Sequence, residues 1–431
     1  MHHSLTTLPN GLRVIAVEMP HIHSAEIAIY LKVGARCDPP GKAGLAHFIE
    51  HMLFRGTRTY PTTLELETAF EAIGGNVNAA TDAETTCLYS RVHPDRIAEG
   101  LKLFASMLLE PTFLGIDIEK RIITEEALED INEEGSEINP ENVSSRLLWP
   151  DTPLAMPTVG TIETIAGFTE QDLQHQMKTW YVPANAVIAV AGRIATQTVV
   201  ASAEAAFGAW QGCPPPAVEQ VTVTQEVARS SFVKNPDSQI DLQIAFRGFA
   251  RKDPRIMSTR ILRRIMAGTG SSRLHLLLRE ALGIVYSVDA TISAFEETGA
   301  FAIDLSTAPD NFHPAIAEVL AECRKISTEP VPAAELERVK RAYLYDLEFS
   351  KDSAYELANR FSWGELAGML KTIEEERVEA EKVTAADIRA AARAIFAPGN
   401  LNVVAIGPFT PALRNTAEKL LKEYTAAWET A

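Results

Sequence analysis

Short apolar runs with strand-like alternation are interleaved along this chain with longer stretches of helical periodicity. Leu12 to Val17 and Ala25 to Val33 are alternating or β-branched and read as strands. A helical pattern follows from about Ala43 to Arg55 and ends near Gly56. Pro61 to Ile73 predicts another helix, stopped by Gly74-Gly75. Asn76 to Thr81 and Glu84 to Val92 read as two strands joined by a short turn. Helices are then predicted over about Pro94 to Leu109 and Ile116 to Glu134. Strands and helices mixed in this way imply helices packed on a sheet, an α+β class.

An internal repeat divides the chain. Thr169, Asp172, Tyr181, Pro183, Asn185 and Gly192 correspond to Thr384, Asp387, Phe396, Pro398, Asn400 and Gly407, each at an offset of 215 residues. Each copy reads as a helix, then Pro-x-Asn, then an apolar strand ending in Gly, with a helical segment after it. The prolines of Gly212-Cys213-Pro214-Pro215-Pro216 cannot sit inside a helix or a central strand. This stretch predicts a linker over 213–224 between domains at 1–212 and 225–431. At 431 residues the chain exceeds one ordinary core, in keeping with two domains.

Composition narrows the function. Hydrophobic content of 46% and charged content of 23% describe a soluble globular protein. A formal net charge of −17 argues against nucleic acid as a partner and favours basic peptides. No apolar run approaches the roughly 18 residues of a membrane span, so no membrane role is expected. The start shows neither a secretory signal nor an Arg-rich transit segment, and removal of one from a longer precursor is compatible with this. Cys37, Cys87, Cys213 and Cys323 are scattered without metal-ligand pairing. Reduced thiols in a cytoplasm are the simplest reading.

The chemistry concentrates in His47-Phe48-Ile49-Glu50-His51. On a helix the two histidines lie about 40° apart, with Glu50 about 60° to the other side. One face therefore offers two imidazoles, which are good zinc ligands, and a carboxylate able to take a proton from a zinc-bound water. His-x-x-Glu-His is the inverted zincin motif. A catalytic zinc needs a third protein ligand, and Glu119-Lys120-Arg121-Ile122-Ile123-Thr124-Glu125-Glu126 offers candidates. Two helical turns put Glu119 and Glu126 on one face, and Glu125 competes for the same role. Most other acids of this stretch read as a solvated helix face.

His-x-x-Glu-His followed by two glutamates seven residues apart resembles the pitrilysin or insulinase family of metallopeptidases, in particular the half-length branch similar to mitochondrial processing peptidase subunits. The resemblance covers nearly the whole chain. It implies two homologous α+β domains, each with helices on a mainly antiparallel sheet, in the metallohydrolase fold of that family, facing each other across a chamber. It makes His47, His51 and Glu126 the ligands of one zinc per chain, Glu119 a supporting residue and Glu50 the general base. It also implies hydrolysis of unfolded peptides inside the chamber. Asn78, Ala79 and Ala80 resemble the family's edge strand, to which a peptide adds as a further strand; a plain hairpin is the competing reading.

The second half lacks the zinc motif. Its Leu278-Arg279-Glu280 and Gly283-Ile284-Val285-Tyr286 resemble the family's substrate-binding pair, with Arg279 holding peptide carbonyls and Tyr286 donating to the developing oxyanion. From the residues alone, Arg279 as a surface ion-pair partner of Glu280 and Tyr286 as an ordinary strand residue is the favoured reading, because lone Arg and Tyr residues are common. Half-length relatives pair with a second chain. Because both feature sets are retained here, a homodimer is expected, with a heterodimer as the variant. Two alternatives stand beside the peptidase: a noncatalytic structural subunit of the same fold, and a peptidase dedicated to one precursor peptide.

Overall fold

The computed structural model describes residues 3–429. Its two compact units are interleaved in sequence. One comprises Met1–Glu129, Met156–Glu219 and Glu348–Thr372, and the other Asp130–Ala155, Gln220–Leu347 and Ile373–Ala431.

The first unit is built on a sheet of β1 (His3–Thr7), β2 (Arg13–Glu18), β3 (Ala25–Leu31), β4 (Asn78–Thr81), β5 (Thr86–Val92) and β6 (Ala186–Gly192). The strand order is β1-β2-β6-β3-β5-β4, antiparallel throughout except for the β2–β6 pair. Alternation along β3 sends Ile27, Ile29 and Leu31 into the core, where Phe48, Phe70, Phe104 and Phe168 are fully buried. Full burial of such a side chain contributes about 1.5–3 kcal/mol. The opposite face of the sheet is covered by helix Ala354–Leu366, which comes from the second half of the sequence.

The second unit repeats the plan. Its strands are β7 (Arg229–Lys234), β8 (Ile240–Gly248), β9 (Val288–Ala294), β10 (Gly299–Thr307) and β11 (Leu401–Gly407), in the order β7-β11-β8-β10-β9. Only β7–β11 is parallel. One face carries helices Ile256–Met266, Phe312–Thr328 and Ala385–Ile395. Helix Pro140–Leu148, from the first half, packs on the other.

The repeat read in the sequence is a repeat of structure. Thr169 and Thr384 cap their helices in reciprocal capping boxes with Asp172 and Asp387. The Asn185 amide donates to the Trp180 carbonyl at 2.9 Å, and the Asn400 amide to Ala394 at 2.8 Å. Each asparagine thus ties a helix end to the buried strand that follows. Gly192 and Gly407 close those strands at φ +147° and +153°. A Cβ there would lie 2.4 Å from the Ser24 carbonyl oxygen and 2.7 Å from that of Gln239, so only glycine fits.

Two boundaries differ from the sequence expectation. Domains at 1–212 and 225–431 treat each half as unbroken, whereas 130–155 and 348–372 belong to the opposite units. Both segments contribute a helix to a sheet face, and amphipathicity says that a helix needs a partner without saying which sheet supplies it. The acidic helix is Ile116–Glu129 and not Ile116 to Glu134. Beyond it the Asn132 side chain accepts the N–H groups of Glu134 and Ser136, and Gly135 sits at φ +78°. This local turn outcompetes another helical turn.

Candidate metal centre

Helix Leu45–Leu53 owes its orientation to Leu45, Phe48, Ile49, Met52 and Leu53, which recur at helical spacing and are all buried in the core. His47, Glu50 and His51 are left on the other face. The helix starts after Gly44, whose φ of +88° no side chain would accept cheaply. Asp38 supplies the cap, accepting the N–H groups of Gly44, Leu45 and Ala46 at 2.8, 3.0 and 2.9 Å. Burial pushes Asp38 up to about 7, against the pull of these three donors. Such a cap is worth about 0.5–2 kcal/mol and fixes where the motif begins.

Helix Ile116–Glu129 faces this one. His47 Nε2 lies 3.6 Å from Glu126 Oε1, and His51 Nε2 lies 3.8 Å from Glu126 Oε2. One ligand atom from each of the three residues falls within 4.8 Å of the others. Tetrahedral zinc with ligands at about 2.0–2.2 Å sets those atoms about 3.4 Å apart, so the set needs only a small contraction to fit. Glu125 is exposed on the neighbouring flank of the helix, so the geometry favours Glu126.

The surroundings tune each group. His51 Nδ1 hydrogen-bonds Glu119 Oε1 at 2.8 Å, which makes Nδ1 the donor and leaves the Nε2 lone pair toward Glu126. Burial lowers His51, but Glu119, with Glu50 and Glu126, outweighs it and raises the group above its usual value. Burial, helped by neighbouring His51, pulls His47 down to about 4, so its imidazole is neutral and able to ligate near neutral pH. Among the described residues the buried His47 Nδ1 has no hydrogen-bond partner. Glu119 is pushed up by burial and pulled further down by hydrogen bonds from His51 and Arg55, ending below the usual carboxylate range.

Glu50 is buried, and burial raises it, opposed by a hydrogen bond from Thr81 Oγ1 at 2.5 Å. A carboxylate shifted upward is a better proton acceptor near neutral pH. Thr81 ends β4, the edge strand carrying Asn78, Ala79 and Ala80, whose outer side pairs with no strand among the described residues. The hydroxyl therefore ties Glu50 to the edge of the sheet.

Arg279 and Tyr286 belong to the second unit. Arg279 lies in the wide-turn helical segment His275–Ala281, before Gly283 at φ +64°. Its guanidinium carbon is 5.3 Å from the centroid of the Tyr286 ring, and its Nε is 3.6 Å from Glu280 Oε1. Tyr286 is 80% exposed, with its hydroxyl available to a ligand. Three contributors escaped the sequence reading: Asp38 as cap, Arg55 on Glu119 and Thr81 on Glu50. Arg55 was the most findable, one helical turn beyond His51 on the same face.

The model described as Insulinase (Peptidase family M16) matches residues 13–162, and the one described as Peptidase M16 inactive domain matches 167–343. An uncharacterized zinc protease of Rickettsia felis is 30% identical over 340 residues, 78% of this chain and 81% of its own length. The chain belongs to the M16 family. A further M16 relative, an uncharacterized zinc protease of Streptomyces coelicolor, is 27% identical over 400 residues, covering 91% of this chain and 86% of the relative. A crystal structure of a protease from Helicobacter pylori shares the fold, with TM-score 0.88 at 20% identity over 94% of this chain and 99% of that one. The inactive-domain match falls on residues without a His-x-x-Glu-His, while the motif lies within the insulinase match. Among the described residues no helix is long and apolar enough to cross a membrane.

Proposed function

We propose that this M16 chain is a zinc-dependent metalloendopeptidase acting on unfolded peptides. One observation carries the reading: His47, His51 and Glu126 converge within 4.8 Å, with the raised carboxylate of Glu50 on the same helix face. The three converging residues would hold one zinc per chain. When bound, zinc supplies Lewis acidity and lowers the pKa of water to about 7. Glu50 accepts the proton of the attacking water and returns it to the leaving amine. Glu119 keeps His51 in the ligating tautomer, and Arg55 holds Glu119 in place. A peptide pairs with β4 along Asn78, Ala79 and Ala80, taking affinity from main-chain hydrogen bonds that tolerate many sequences. Arg279 and Tyr286 supply donors to its carbonyls.

Incubation of the purified protein with a mixed peptide library tests this reading. Cleavage seen by mass spectrometry should disappear with a chelator and return with added zinc. A complete lack of cleavage in the zinc-loaded protein would favour the noncatalytic subunit, whereas cleavage of a single sequence would favour a dedicated processing peptidase. The net charge of −17 favours basic peptides, at low salt above all.

We also propose a homodimer, because one chain retains both the zinc set and the Arg279/Tyr286 pair. Light scattering should give about twice the chain mass. A fully active monomer at assay dilution would remove the need for a partner, and a cytoplasmic setting is proposed from the unpaired thiols.

A further inference from the structure

Behind Glu50 lies a row of hydroxyls of which the chemistry assigned above uses only the first. Thr81 Oγ1 donates to Glu50 Oε2. Thr86 Oγ1 lies 3.3 Å from Thr81 Oγ1 and donates to the Val33 carbonyl at 2.9 Å. Thr86 is fully buried, and Tyr181 is only 4% exposed at the end of helix Glu170–Trp180. The Tyr181 O–H has no hydrogen-bond partner among the described residues, and Thr86 is the hydroxyl within its reach. Burial raises Tyr181 well above the usual phenol value, so it stays protonated and able to donate.

The second unit repeats this frame without the hydroxyls. Leu401 pairs with Phe246 as Ala186 pairs with Leu31. Phe246 then pairs with Phe301 as Leu31 does with Thr86, and Phe301 with Ile292 as Thr86 does with Thr81. Register therefore equates Thr86 with Phe301 and Thr81 with Ile292, while the repeat equates Tyr181 with Phe396. The Phe301 and Phe396 rings meet edge to face with centroids 5.2 Å apart, which places the two equivalent positions side by side. Helix Ile256–Met266 follows β8 as the motif helix follows β3, and it carries no carboxylate. The same sheet geometry is thus filled by apolar side chains where there is no acid to hold. Burying hydroxyls costs free energy that apolar packing avoids, so the fold alone does not call for them.

We propose that Tyr181, Thr86 and Thr81 form a line of hydroxyl donors that positions the Glu50 carboxylate, an assignment that rests on the peptidase reading. Thr81 has one hydrogen and spends it on Glu50, so its oxygen is left to accept, and Thr86 is the donor it faces. Thr86 shares its hydrogen between the Val33 carbonyl and Thr81 Oγ1, which anchors the line to the backbone after β3. Tyr181 supplies the far end by donating to Thr86 Oγ1. An oxygen that accepts a hydrogen bond makes its own O–H a stronger donor, so each member tightens the next. With Glu50 Oε2 held by Thr81, Oε1 is the oxygen that receives the proton of the attacking water. Thr86 and Tyr181 are positioning residues, since they act on the carboxylate only through Thr81.

The test is steady-state kinetics on one cleavable peptide, with zinc content measured on each variant. Thr86→Val keeps the shape and removes the hydroxyl. It should lower kcat about tenfold with KM and zinc near the wild-type values, and Thr86→Ser should restore most of the rate. Tyr181→Phe deletes a single oxygen and should lower kcat about threefold, but should have no further effect once Thr81→Val has cut the line. Wild-type kcat in Thr86→Val overturns the line. So does a Tyr181→Phe loss of the same size with and without Thr81, which would mark a merely structural hydroxyl. Where Thr86→Val fails to fold, the Tyr181→Phe and Thr81→Val pair decides alone. If the zinc-loaded wild type cuts no peptide, the peptidase reading fails separately. Urea unfolding of Tyr181→Phe, Thr81→Val and the double variant then decides the line, and additive losses of stability overturn it.

Discussion

Glu50→Gln is expected to lower kcat/KM for peptide cleavage by about a thousandfold while the protein keeps its zinc. The substitution preserves the shape of the side chain and its capacity to accept from Thr81 Oγ1. It removes the one property the mechanism needs, a carboxylate that can take a proton. General base catalysis is typically worth about 10²–10⁴-fold, and here the same group also returns the proton to the leaving amine. Glu50 is not one of the three residues whose ligand atoms converge, so the metal content should hold. Elemental analysis and peptide assays on the same preparation make the comparison. Wild-type turnover in Glu50→Gln would sink the proposed mechanism even if zinc proved essential. Loss of zinc together with activity would instead show that Glu50 shapes the metal site.

Much of this arrangement could be read from the chain because its strongest signals are local. The apolar set Leu45, Phe48, Ile49, Met52 and Leu53 fixes the helix and its buried face, and so fixes where His47, Glu50 and His51 point. The Thr169/Asp172 and Thr384/Asp387 pairs are capping boxes within single helices, so a repeat in sequence became a repeat in structure. The same holds for the central strands: β6 and β11 are buried along their whole length, and the sequence there is apolar apart from Asn402.

What escaped the reading depends on contacts between segments distant in sequence. Arg55 meets Glu119, and Thr81 meets Glu50, only after the sheet and two helices have assembled. Asp38 lies close to the motif helix in sequence, but its cap spans a loop and follows no regular spacing. The crossing of 130–155 and 348–372 into opposite units is a choice between two similar sheets. Each segment carries an apolar helix face, and either sheet offers it a surface.

Glu126→Gln is expected to weaken zinc binding by more than about 100-fold, and Glu125→Gln to leave it near the wild-type value. The two residues are adjacent in sequence and chemically identical, so only the helix phase separates them. Glu126 presents its oxygens to His47 and His51 at 3.6 and 3.8 Å, while Glu125 is exposed on the neighbouring flank. An amide oxygen is a neutral and weaker ligand than a carboxylate, and the remaining two imidazoles make a poor zinc site alone. Glu119→Gln should fall between them, because outer-shell partners of a ligating histidine typically contribute about 10–100-fold in affinity. Competition against a chromophoric chelator gives the three constants without any activity assay. The order Glu126, Glu119, Glu125 follows from direct ligation, support through His51, and solvent exposure. A greater loss in Glu125→Gln than in Glu126→Gln would move the third ligand by one residue and require the acidic helix to sit about 100° away from the phase described here.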